Sequence, residues 1–175
     1  MTSPGSDWLA DPGTGYAARY ESAMRLALEI ASEPRPEGSD QAQPEVPVGA
    51  VVLARDGSVI GRGRNACLAG PDPTAHAEIV AIRAAAREAG SWRLDGCTLV
   101  STLEPCVMCA GAVLAARIGR LVYGAPDPRA GAAGSLWDVV RDRRLGPPVE
   151  VIPGVLAGEC AALLSEFFAG LRGQS

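Results

Sequence analysis

The sequence predicts an α/β domain in which helices sandwich a partly parallel sheet. Short apolar runs alternate along the chain with helical patterns of roughly ten or more residues, the alternation that builds such sheets. The chain is 175 residues long, 47% hydrophobic and 21% charged, which suffices for a single core. It shows no internal repeat and no second domain.

Residues 1–15 hold turn formers throughout and no periodicity, so a disordered N-terminal tail is expected, followed by one domain over 16–172. Tyr16 to Ser32 has helical spacing, with Tyr20, Met24, Ala27 or Leu28, and Ala31 on one face. Glu33 to Glu45 carries three prolines and reads as a loop. Val48 to Ala54, the Asp56-Gly57 turn and Ser58 to Arg64 read as a hairpin. After the break at Pro71 to Pro73, Thr74 is the expected N-cap of a helix rich in Ala, Glu and Arg that Gly90 closes. Thr98 to Thr102 is a buried strand, and Cys106 to Ala116 is a helix entered through Pro105. Arg120 to Tyr123 is a strand, a Gly/Pro/Ala loop runs through Gly134, Val149 to Ile152 is a last short strand, and Glu159 to Leu171 is a terminal helix.

Composition excludes several chemistries. The formal net charge is −4, which rules out a polybasic coat for nucleic acid or a membrane surface bound by bulk charge. Every basic residue is arginine, so lysine Schiff bases and phosphate-loop lysines are excluded, and His76 is the only histidine. Five cysteines, an odd number with one close pair, do not form a secreted disulfide framework. No apolar leader precedes Arg19, and the longest uncharged run, Pro105 to Ala116, falls well short of the roughly 20 residues of a membrane span. A cytoplasmic location without membrane contact is expected.

Two short motifs carry chemistry. His76-Ala77-Glu78 opens the Ala-rich helix, and Pro105-Cys106-Val107-Met108-Cys109 opens the next one. One imidazole and two thiolates are three zinc ligands, the number that leaves a catalytic zinc its fourth position for water. A structural zinc needs a fourth protein ligand, and no further Cys or His lies at ligand spacing. Helix starts also favour negative charge and so lower thiolate pKa values. Glu78 follows His76 by about 200° on an ideal helix, yet both can approach a group lying off the helix end. Glu78 therefore reads as an acid/base beside the metal rather than a ligand. Taken singly, the thiol pair is also a redox dithiol or two core thiols, the histidine a structural hydrogen bonder and the glutamate a dipole partner. Their joint order resembles the H-x-E…P-C-x-x-C signature of zinc nucleobase deaminases.

The resemblance extends over Val46–Val52, Gly63–Asn65, Asp72–Ile79, Thr102–Ala112, Arg117–Ala125, Ala130–Val139 and Glu159–Phe168. Together these segments resemble the bacterial tRNA-specific adenosine deaminases, within the zinc-dependent cytidine/deoxycytidylate deaminase superfamily. The resemblance implies a three-layer α/β/α cytidine-deaminase-like fold with a mixed, roughly five-stranded sheet. It also implies a homodimer with one Zn2+ per chain and conversion of the wobble adenosine of an arginine tRNA to inosine. On it, His76, Cys106 and Cys109 hold zinc and Glu78 shuttles the proton. Asn65 hydrogen-bonds the target base, Asp127 contacts the neighbouring ribose or backbone of the anticodon loop, and Phe168 and Arg172 on the terminal helix face RNA. This sequence departs from the family in its longer, proline-rich 33–45 loop and its less basic terminus. Phosphates then fall to a local arginine face, drawn from Arg64, Arg93, Arg129, Arg141, Arg143 and Arg144.

Three other readings compete. A deaminase of free guanine, cytosine or a nucleoside shares the same site chemistry. A non-catalytic RNA-binding partner subunit has no use for Glu78, and a redox dithiol protein leaves both His76 and Glu78 without a role.

Overall fold

The computed structural model describes residues 18–33 and 44–173. The 1–15 tail and most of the proline-rich loop lie outside these residues. In chain order the elements are α1 (Glu21–Ser32), β1 (Gly49–Leu53), β2 (Val59–Arg64), α2 (Ala77–Glu88), β3 (Thr98–Leu103), α3 (Val107–Ala115), β4 (Arg120–Ala125), β5 (Glu150–Ile152) and α4 (Ala157–Arg172).

The strands form one mixed sheet in the order β2-β1-β3-β4-β5. β1 pairs antiparallel with both β2 and β3, whereas β3, β4 and β5 run parallel. Successive strand residues point to opposite faces, and each face has its own core. Ala50 and Val52, Leu99, Leu121 and Tyr123 join Ala77, Ala81, Ala85 and Val113 beneath α2 and α3. Val51 and Leu53, Val100, Val122 and Ala125 join Tyr20, Met24, Ile30 and Cys160 beneath α1 and α4. Three layers result, and β3, covered on both faces, is buried from Thr98 to Thr102 as the sequence predicts.

Glycine sets the approach of α2 to the sheet. A Cβ on Gly63 would fall on the backbone of Ala77 and Ala81, and one on Gly61 on Ala81 and Ala85. Only bare backbone at these two β2 positions lets the helix lie this close.

Element boundaries differ from expectation at helix starts. The helix expected from Tyr16 is described over Glu21–Ser32, and residues 16 and 17 lie outside the described residues. Thr74 does not cap α2: its amide and hydroxyl both donate to Asp72 Oδ1, at 2.8 and 2.6 Å, which locks residues 72–74 into a turn of their own. The N-cap of α2 is instead His76, extended at φ −67° and ψ 152°. Gly90 terminates the helix with φ +60°, as its position in the sequence predicts.

Candidate active site and metal centre

α2 and α3 both start at the same end of the sheet, beside the C-terminal ends of β2, β3 and β4. His76 is the N-cap of α2 and Cys106 the N-cap of α3, each extended and without a side-chain cap hydrogen bond. Both side chains are thereby aimed off the helix ends. His76 Nδ1 lies 3.6 Å from Cys106 Sγ and 3.6 Å from Cys109 Sγ. All three donor atoms fall within 4.8 Å of one another, the one group of metal-ligand type among the described residues.

These donors fit zinc. Bonds of about 2.1 Å to nitrogen and 2.3 Å to sulfur at a tetrahedral ion require N···S separations of roughly 3.6 Å. The electrostatics agree. A hydrogen bond from Cys109, joined by one from His76, pulls the Cys106 thiol down to about 3 against the opposing effect of burial. The contact with Cys106 pushes Cys109 the other way, helped by burial and by Glu78. One negative charge is thus shared between the sulfurs, and a divalent cation is what allows both to ionise.

Glu78, in the first turn of α2, is 4% exposed. Burial pushes its carboxyl up to about 6, and the only contrary pulls are its own backbone, His76 and Cys109. It faces a cleft of roughly 200 Å³ whose walls include Val46, Val48, Asn65, His76, Glu104 and Asp127. The structure therefore brings Asn65 and Asp127 to the same cleft as His76, Cys106 and Glu78. Asn65 donates from Nδ2 to Glu45 Oε2 at 3.1 Å.

The terminal helix stands differently. Phe168 is exposed and Arg172 sits in the last turn of α4, and neither lines the cleft. Phe167 instead lines an adjoining groove with Pro44, Glu45, Val46 and Arg64, continuous with the cleft through Val46, Val48 and Asn65. Among the other arginines, Arg93, Arg141 and Arg144 lie on Asp95, Asp138 and Asp142, so the 141–144 segment is partly self-neutralised.

Sequence reasoning missed two carboxylates. Glu45 accepts the amides of Leu68 and Ala69 as well as the Asn65 side chain. Glu104 is 2% exposed and accepts four hydrogen bonds from residues 127–135. Burial raises the Glu104 carboxyl, and these bonds outweigh that effect and hold it below its ordinary value. An acidic residue directly after a buried strand was the one available signal.

The fold and the metal centre together are those of a zinc-dependent deaminase. Residues 18–125 match the cytidine and deoxycytidylate deaminase zinc-binding region, and the chain belongs to that family. Within it, the chain is 47% identical over 152 residues to a tRNA-specific adenosine deaminase of Haemophilus influenzae, covering 87% of this chain and 84% of that one. A solved structure of a deaminase described as acting on tRNA A34, the wobble position, superimposes with a TM-score of 0.71 at 41% identity, covering 81% of this chain and 97% of that one. The chain is also 53% identical over 167 residues to a tRNA(Ile)-lysidine synthase of Deinococcus radiodurans; this spans 95% of the present chain but only 27% of that protein.

Proposed function

We propose that this protein deaminates adenosine to inosine at the wobble position of a tRNA anticodon, releasing ammonia, with an arginine tRNA as substrate. One observation carries the reading: a buried carboxylate, Glu78, stands beside the His76–Cys106–Cys109 donor set at the floor of a cleft that also presents Asn65 and Asp127. The tRNA deaminases among its relatives support the choice of substrate.

His76, Cys106 and Cys109 would hold one zinc per chain. Bound there, zinc supplies the Lewis acidity that makes water a competent nucleophile at neutral pH. Glu78 takes one proton from the attacking water and passes it to the ring nitrogen of adenine as the oxygen adds at C6. Glu78 then moves the remaining hydroxyl proton to the amino group, the C6–N bond breaks to release ammonia, and the C6 carbonyl of inosine forms. A carboxyl held near 6 suits both halves of this exchange. Asn65 orients the base and Asp127 the adjoining backbone. An unpaired loop base reaches such a cleft at lower cost than a base in a duplex.

A net charge of −4 leaves phosphate binding to local arginines, and Arg64 lies on the groove that adjoins the cleft. Phe168 and Arg172 would meet RNA farther along α4. The protein would act as a homodimer. No helix among the described residues is long and apolar enough to cross a membrane, and the proposed substrate places the protein in the cytoplasm.

Mass spectrometry of an arginine tRNA anticodon stem-loop after incubation with the protein tests the reading. The expected result is a gain of one mass unit at the wobble adenosine, corresponding to exchange of NH for O, that a zinc chelator abolishes. Turnover of free guanine or cytosine with an unchanged stem-loop would overturn it.

A further inference from the structure

We propose that Glu104 is a positioning residue for this reaction: its carboxylate fixes the 126–135 loop, and through that loop the Asp127 wall of the cleft. The proposal rests on the reading of the cleft as the substrate site.

Glu104 directly follows β3, two residues before Cys106, and its carboxylate accepts hydrogen bonds from the loop that follows β4. Oε2 accepts the Asp127 amide at 3.0 Å and the Ser135 hydroxyl, while Oε1 accepts the Ala133 and Ser135 amides, each at 3.0 Å. Four donors on two oxygens match an ionised carboxylate, which only accepts. The loop is shaped to receive this carboxylate. A Cβ on Gly131 would stand 2.5 Å from both Glu104 Cδ and Oε2, so glycine there permits the close approach. The same loop is stitched to the metal-binding motif by the Ala132 amide, which donates to Pro105 O at 2.8 Å, and by the bridge between Gly131 and Cys106.

Farther along, the loop is also anchored by Ala132 and Ala133, which are buried in the core, and by the Val139 amide donating to Ala132 O; at Asp127 the backbone amide donates to Glu104. The loop has no regular secondary structure, yet it presents Asp127 and Ala130 to the cleft. Both oxygens of Glu104 are taken up by loop donors, so the residue's contribution is to where the substrate wall stands rather than to proton transfer.

The isosteric Glu104→Gln variant discriminates. Glutamine keeps one acceptor oxygen. It fits best with that oxygen toward the Ala133 and Ser135 amides, because the Ser135 hydroxyl can then rotate to accept from the new NH2. The Asp127 amide alone faces a donor and loses its bond. Hydrogen–deuterium exchange should therefore accelerate about tenfold or more at Asp127, with α2 and α3 unchanged and zinc content retained. Stem-loop kinetics should show KM raised about tenfold while kcat stays within about threefold. If Glu104→Gln does not fold, Ser135→Ala removes only the hydroxyl donor and should accelerate exchange within 127–135 by at least about twofold.

Unchanged exchange at Asp127 in Glu104→Gln overturns the proposal. So does acceleration spread evenly over the domain, a fall in kcat at constant KM, or, where Glu104→Gln is unfolded, an unchanged loop in Ser135→Ala. If the wild-type protein leaves the stem-loop untouched, the substrate reading has failed, and exchange still decides the role of Glu104.

Discussion

His76 Nδ1 and Cys106 Sγ lie 3.6 Å apart although thirty positions separate them in the chain, because each is the last extended residue before a helix and both helices start at one end of the sheet. Cys109 reaches the same point by being one turn farther along α3. The first prediction follows from this geometry. The wild-type protein should carry close to one zinc per chain. Cys106→Ala should weaken zinc binding by at least about tenfold, since even the loss of a ligand's supporting hydrogen bond typically costs 10–100-fold. Metal analysis after dialysis against a weak chelator reads the difference.

Glu78 separates chemistry from metal binding. Glu78→Gln keeps the shape of the side chain and removes the proton carrier. Turnover of the stem-loop should fall by roughly 10²–10⁴-fold while zinc content stays at the wild-type level. Activity within threefold of wild type, with zinc retained, would remove Glu78 from the reaction.

Gly63 couples stability to the site. Its missing Cβ lets β2 lie against Ala77 and Ala81 of α2, the helix whose start presents His76 and Glu78. Gly63→Ala should cost about 1–3 kcal/mol by forcing the helix outward. Urea unfolding measures that loss, and zinc affinity should decline with it. A matching substitution at Gly170, where a Cβ meets nothing within 4 Å, should leave zinc affinity unchanged.

Alkaline stability should depend on Cys160. Burial pushes this thiol up to about 11 from an ordinary value of 9.0. Between those values the folded chain binds more protons than the unfolded one. The stabilisation is thus complete below about pH 9 and is lost as the pH rises through 11. Thermal melts from pH 8.5 to about 11 should show a Tm that declines more steeply in wild type than in Cys160→Ala. Parallel slopes would show that the buried thiol is not linked to folding.

The fold and the metal centre were largely legible in the sequence because both depend on local signals. Strand alternation, the Asp56-Gly57 turn and two helix-start motifs are each written within a few residues. The expected capping by Thr74 failed because Asp72 draws residues 72–74 into a turn of their own and α2 starts only after His76. Glu45 and Glu104 were missed for a different reason. Their partners lie 20–24 and 23–31 positions downstream, and no local pattern encodes hydrogen bonds to the backbone of a distant loop. Phe167 and Phe168 show the same limit at close range. Neighbours on a helix diverge by about 100°, and periodicity cannot tell which of the two borders a groove.

Every wall of the cleft comes from one end of the sheet. The opposite end holds the β1–β2 turn, the start of β3 and the start of β4. The Gly57 backbone there, at φ +88°, faces open space. The turn at Asp56-Gly57 is therefore a place where extra chain, a fluorophore or a whole carrier protein can be grafted at the pole farthest from catalysis. A surface-tethered or tagged form attached at that point would present its cleft outward, toward an incoming anticodon arm.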